Sequence, residues 1–152
     1  MYAQIVVPLD GSALAEQVLP YVEALAEKFG SAITLLRATL LPGALIVGSL
    51  AGEAGPIGDP TPQVEADRQQ ATSYLAAVAG RLRAQGRVVQ CEQPEGPADE
   101  AIVQRARDVH ADLIAMTTHG RGGLGRLVFG SVGDAVLRSA PCPVLLLRSA
   151  SP

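Results

Sequence analysis

The residue types that could do chemistry gather between Asp112 and Asp134, where the chain reads DLIAMTTHGRGGLGRLVFGSVGD. An unbroken apolar run leads into a loop with Gly120, Gly122, Gly123 and Gly125, and Gly130-Ser131 then has the look of a helix start. Strand, glycine loop and helix together present backbone amides to phosphate. The loop tip carries Arg121 and Arg126 and no carboxylate. Ser131 is placed to cap the following helix, with Asp134 three residues on as in a capping box, and the positive dipole end then faces whatever the loop encloses. An anion site is the first expectation, with Gly120 and Gly130 as points of close ligand approach.

The same residues exclude other phosphate chemistry. A Walker A loop needs lysine after its last glycine, and the chain's single lysine, Lys28, lies far from any glycine loop. A dinucleotide fingerprint would follow the first strand, where Asp10-Gly11-Ser12 stands instead. Gly120, Gly122 and Gly125 fit the fingerprint's spacing, but the helix starts too late for it. His119 has no nucleophile with an orienting acid around it, so it reads as a loop-positioning residue. His110 sits at a helix end, where a cation favours the dipole. Cys91 and Cys142 lack CxxC spacing and read as reduced thiols.

Elements must bring these residues together. Gln4 to Leu9 is a β-branched run followed by turn and cap types, so a strand ends at Asp10 and a helix begins. Leu14, Val18, Val22, Leu25 and Phe29 mark one helical face closed by Gly30, with Pro20 inside the helix and expected to bend it. Ser31 to Leu36 is a second strand. From Leu40 to Pro62 the chain is rich in Gly, Pro and Ala without period and reads as a long flexible loop or flap. A helix from Gln63 to Gln85, a strand from Arg87 to Glu92, and a helix opened by Pro97 follow. A strand from Leu113 to Met116, the glycine loop, a helix from Ser131 to Ser139 and a strand from Cys142 to Leu147 complete the order.

Strand and helix alternate, and the strands are apolar throughout rather than alternating. That combination predicts an α/β fold, an open parallel sheet with helices on both faces. Ligands in such sheets bind beyond the carboxyl ends of the strands, where the winding reverses. The loops at Asp10 and Thr117 to Gly130 lie on that edge, and they form a single site if the first and fourth strands are neighbours.

With 152 residues and 48% hydrophobic composition, a single domain over 1–152 is expected. Its net charge of -3 gives no basic field for nucleic acid or anionic lipid. Neither a signal core nor a membrane-length apolar run is evident, which predicts a soluble, cytoplasmic protein.

The fourth loop resembles the signature of the universal stress protein family, the UspA-like branch of adenine-nucleotide-binding α/β folds. ATP-binding members carry Gly-x2-Gly-x9-Gly-(Ser/Thr); here Gly120 and, after nine intervening residues, Gly130-Ser131 reproduce its last parts, while its first glycine falls at Thr117. Val7 to Ser12 (VPLDGS), Thr118 to Arg121 (THGR), Gly130 to Val132 (GSV) and Ala140 to Leu145 (APCPVL) also look like family consensus. The resemblance implies a five-stranded sheet ordered 3-2-1-4-5, a homodimer paired through the strand at 143–148, and ATP at the switch point. By the same resemblance Pro8, Leu9, Asp10, Ala38, Met116 and Thr117 border adenine and ribose. Gly120, Arg121, Gly130, Ser131 and Val132 hold the phosphates, with Mg2+ or Mn2+ bridging phosphate oxygens.

The expected function is thus a nucleotide-responsive stress module with at most slow hydrolysis. The alternative is a dimeric scaffold that binds no nucleotide and acts through protein contacts.

Overall fold

The computed structural model describes residues 1–39, 41, 61–118 and 130–148. The elements are β1 (Gln4–Pro8), a 3-10 turn (Ala15–Val18), α1 (Leu19–Phe29), β2 (Ala32–Leu36), α2 (Thr61–Ala84), β3 (Val88–Glu92), α3 (Ala98–Asp108), β4 (Leu113–Thr118), α4 (Ser131–Ser139) and β5 (Val144–Arg148). The flap expected at 40–62 lies almost wholly outside the described residues, and α2 already begins at Thr61.

All strands pair in parallel in the order β3-β2-β1-β4-β5, as expected. Successive strand residues point to opposite faces. Ile5, Val7, Ile33 and Leu35 meet α1 and α2 through Val22, Leu75 and Leu82. Val6, Leu36, Ile114 and Met116 meet α3 and α4 through Ile102, Val103 and Val136. Both faces are covered, which is why the strands read as continuous apolar runs. Among the described residues no helix is long and apolar enough to cross a membrane.

The pairing of β1 with β4 differs from the rest. β4 pairs β5 in register from Ile114–Val144 to Thr118–Arg148, whereas β1 meets β4 only at Ile5–Leu113 and Val6–Ile114. Hydrogen bonds from Leu9 to Leu36 and from Ala32 to Ala3, each 2.8 Å, show that odd-numbered β1 residues face β2. Pro8 therefore faces β4, and it has no N–H to offer. The ladder stops there, and the carboxyl ends of β1 and β4 part into a crevice. At the other end Asp112 Oδ2 accepts the amides of Ala3 (2.8 Å) and Gln4 (3.0 Å), pinning the strands together.

Pro20 does not lie mid-helix. It occupies the first turn of α1, and the residues before it are wound as the tighter 3-10 turn. A proline ring clashes with the carbonyl one α-turn back and offers no donor, so regular α winding starts around it. Gly30 (φ 66) closes α1 as expected. His110 plays the same part after α3, in the left-handed region at φ 50, with Ala111 N–H reaching back to Ala106 O at 2.8 Å. A side chain there costs about 1 kcal/mol against glycine. His110→Gly is expected to raise stability by about that amount, read as a higher urea midpoint at unchanged slope; an equal or lower midpoint would show the imidazole contributing at least as much as the strain costs.

Candidate functional site

Where β1 and β4 part there is a cavity of about 300 Å3. One lip is the turn after β1. Asp10 Oδ1 accepts the Ser12 N–H (2.8 Å), Gly11 takes φ 88, and Ser12 Oγ accepts the Ala15 N–H (3.1 Å), which starts the 3-10 turn. The floor is the end of β4: Met116, Thr117 and Thr118. Thr117 Oγ1 donates to Ala15 O at 3.5 Å, reaching from β4 to the Asp10 side. Thr118 is 7% exposed and its hydroxyl has no partner among the described residues.

The facing wall is the start of α4. Gly130, not Ser131, is the N-cap, and among the described residues no side chain caps this helix. The capping box expected from Ser131 and Asp134 does not form, because Ser131 is already inside the first turn and Asp134 pairs with Arg138 at 2.9 Å. Asp134 N–H is bonded to Gly130 O at 3.0 Å. The amides of Ser131, Val132 and Gly133 precede it and have no intrahelical acceptor. Uncapped donors at the positive end of a helix dipole suit an anion, while Ala98 and Ile102 of α3 add an apolar side.

The structure brings Pro8, Leu9, Asp10, Met116, Thr117, Gly130, Ser131 and Val132 around this one cavity. Ala38 is not among its lining residues; the chain on either side of it is tied toward β3, Arg37 N–H to Glu92 O (3.0 Å) and Thr39 N–H to Pro94 O (2.9 Å). Gly120 and Arg121, with His119 and Arg126, lie outside the described residues. Ala15, Ala98, Ile102, Thr118 and Gly133 line the cavity without having been singled out from sequence. The four-residue step from Ala98 to Ile102 was the available signal for that helix face. A larger hollow of about 680 Å3 shares none of these residues; its charged lining is Glu92, Glu95, Asp99, Glu100 and Asp108 with Arg105 and Arg107, an excess of carboxylates that disfavours phosphate.

Comparison with known proteins matches residues 1–148 to the universal stress protein family. The chain is 29% identical over 153 residues to universal stress protein MJ0531 of Methanocaldococcus jannaschii, covering 97% of this chain and 83% of that protein. Protein MJ0577 superposes with a TM-score of 0.81 at 24% identity, over 100% of this chain and 99% of that one. A universal stress protein from Archaeoglobus fulgidus, solved in complex with dAMP, superposes with a TM-score of 0.66 at 24% identity over 95% and 97% of the two chains. At such identity the solved structures speak for the fold.

Behind the Asp10 lip, Tyr74 of α2 has a buried hydroxyl beside the Glu16 carboxylate that meets no acceptor in good hydrogen-bond geometry among the described residues. Burial first, then the Glu16 and Asp10 carboxylates, push its pKa well above the ordinary 10.0, against a smaller lowering by Arg37. An acid whose folded pKa is raised stays protonated in the fold after the unfolded chain has lost the proton. Stability therefore falls as pH rises past 10.0, the unfolded value. Tyr74→Phe should leave stability at pH 7 unchanged or slightly higher and flatten its decline above pH 10, in chemical denaturation followed across that range; an equally steep decline in the variant would place its cause elsewhere.

Proposed function

The chain belongs to the universal stress protein family, and on that premise we propose that it binds an adenine nucleotide, ATP with Mg2+ or Mn2+, in the crevice between β1 and β4. The observation that carries this reading is the uncapped start of α4, whose Ser131, Val132 and Gly133 amides border the cavity. A structural helix end commonly satisfies such amides by a side-chain cap; among the described residues none does so here, which supports a phosphate at this end. Asp10 of the opposite lip keeps a carboxylate oxygen for sugar hydroxyls, and Leu9, Met116, Ala98 and Ile102 supply an apolar bed for a base. A divalent ion would offset charge between phosphate oxygens. Gly120 and Arg121 complete the proposed set from the loop.

In this reading the protein is a cytoplasmic, nucleotide-responsive stress module rather than a fast enzyme. Rapid phosphoryl transfer needs an oriented nucleophile, whereas Asp10 is engaged with Ser12 and Thr117 with Ala15. Hydrolysis through solvent would be slow. The module is proposed to act as a homodimer through 143–148. β5 is an edge strand whose Val144, Leu145, Leu146 and Leu147 are only partly buried, a surface that unpaired would invite aggregation. One observation favours the scaffold alternative, in which only protein contacts matter: the Thr117 side chain takes space in a cavity of about 300 Å3, at the small end for a ligand pocket.

Titration calorimetry with ATP and magnesium separates these readings. A Cβ at Gly130 meets nothing within 4 Å among the described residues, so Gly130→Val should fold normally and lose about ten-fold or more in affinity by blocking the amides. Thr117→Gly should raise affinity. No heat from the wild type at millimolar ATP would favour the scaffold. Separately, native mass spectrometry is expected to show a dimer for the wild type and a monomer for Leu145→Lys; a dimeric variant would move the interface off β5.

A further inference from the structure

We propose that Arg37 is a positioning residue for the Asp10 lip, and that through it α2, which lines no part of the cavity, sets the affinity of the crevice. The inference rests on the nucleotide reading above. Arg37 follows β2, and its side chain is only 11% exposed. Its Nη2 donates to Asp67 Oδ1 at 3.3 Å and to Gln70 Oε1 at 3.5 Å, and its guanidinium lies 5.7 Å from the Tyr74 ring centroid. All of these partners belong to α2. The guanidinium also packs on Gly11, where an added Cβ would stand 3.4 Å from Nη1.

Gly11 is the middle of the turn that carries Asp10 into the cavity. A residue there with a side chain would meet both a left-handed backbone, φ 88, and the guanidinium. The turn's own hydrogen bonds, Asp10 to Ser12 and Ser12 to Ala15, fix its shape but not where it sits. The Thr117–Ala15 bond and the Arg81–Glu16 ion pair hold the far end of the lip, beyond Ser12; at Gly11 the placement comes from Arg37, a planar fork held by α2 on one side and abutting the turn's backbone on the other. Lysine would keep the charge and lose the fork; methionine would keep most of the volume and lose both.

The test is calorimetric titration with AMP, and with ATP plus magnesium, of the wild type, Arg37→Lys, Arg37→Met, Asp67→Asn and the Arg37→Met/Asp67→Asn pair. Melting temperatures and NMR hydrogen exchange at the Ser12 and Ala15 amides are read on the same nucleotide-free proteins. Arg37→Met is expected to weaken nucleotide binding about ten-fold and Arg37→Lys less. The pair should be no weaker than Arg37→Met alone, because Asp67 acts through Arg37. Exchange at Ser12 and Ala15 should quicken in Arg37→Met. Affinity within two-fold of wild type in Arg37→Met, even with a lowered melting temperature, would make the residue merely structural and overturn the inference. If Arg37→Met does not fold, Asp67→Asn carries the same comparison. If the wild type binds neither nucleotide, the functional reading falls by itself. The positioning role is then decided by exchange: unchanged Ser12 and Ala15 amides in Arg37→Met overturn it, and faster ones sustain it.

Discussion

The parting of β1 from β4 is the constraint on which the rest of the structure depends. A parallel ladder needs a donor from every second residue, and Pro8 withholds one on the β4 side. Pairing therefore ends at Val6–Ile114 while the β4–β5 ladder runs on to Thr118–Arg148. Asp112, holding the amides of Ala3 and Gln4, keeps the other end closed. The sheet is thus stapled at one edge and open at the other, and every cavity-lining residue described above is on an element that ends or begins at the opening.

The two lips of the crevice satisfy their backbone groups in opposite ways. The turn after β1 is self-contained: Asp10 and Ser12 spend side-chain oxygens on the amides of Ser12 and Ala15. At the start of α4 the N-cap is Gly130, which has no side chain to offer, and among the described residues no side chain caps the helix. A carboxylate-bearing edge therefore faces a helix N-terminus without a side-chain cap. That asymmetry is what a ligand with hydroxyls at one end and an anionic group at the other would require. It also accounts for the glycine at position 130, since any capping side chain would compete for the same amides.

The covered faces of the sheet leave few routes by which distant elements can act on the crevice. α2 packs on β2 and β3 through Leu75, Val78 and Leu82, and among the described residues it reaches the region of the Asp10 turn through Arg37, Tyr74 and the Arg81–Glu16 ion pair. Burying a guanidinium is costly unless it is paired, and the partners of Arg37 on α2 are what allow it to lie against Gly11.

The sequence by itself determined the fold class, the strand and helix order, and the edge of the sheet on which chemistry would lie. Those properties are carried by local signals: apolar runs, helical periods, and turn residues such as Gly30 and Asp10. The strand order 3-2-1-4-5 and the family came from resemblance, through Gly120 and Gly130-Ser131, and both are now shown. The winding change at Pro20, the N-cap at Gly130 instead of Ser131, and the reach of Arg37 to Gly11 were decided only in three dimensions. The first two turn on a single residue's register within a helix, which composition does not resolve. The last joins residues of β2's end, α2 and the Asp10 turn that are separated along the chain by whole elements, and only the packing of α2 onto the sheet brings them into contact.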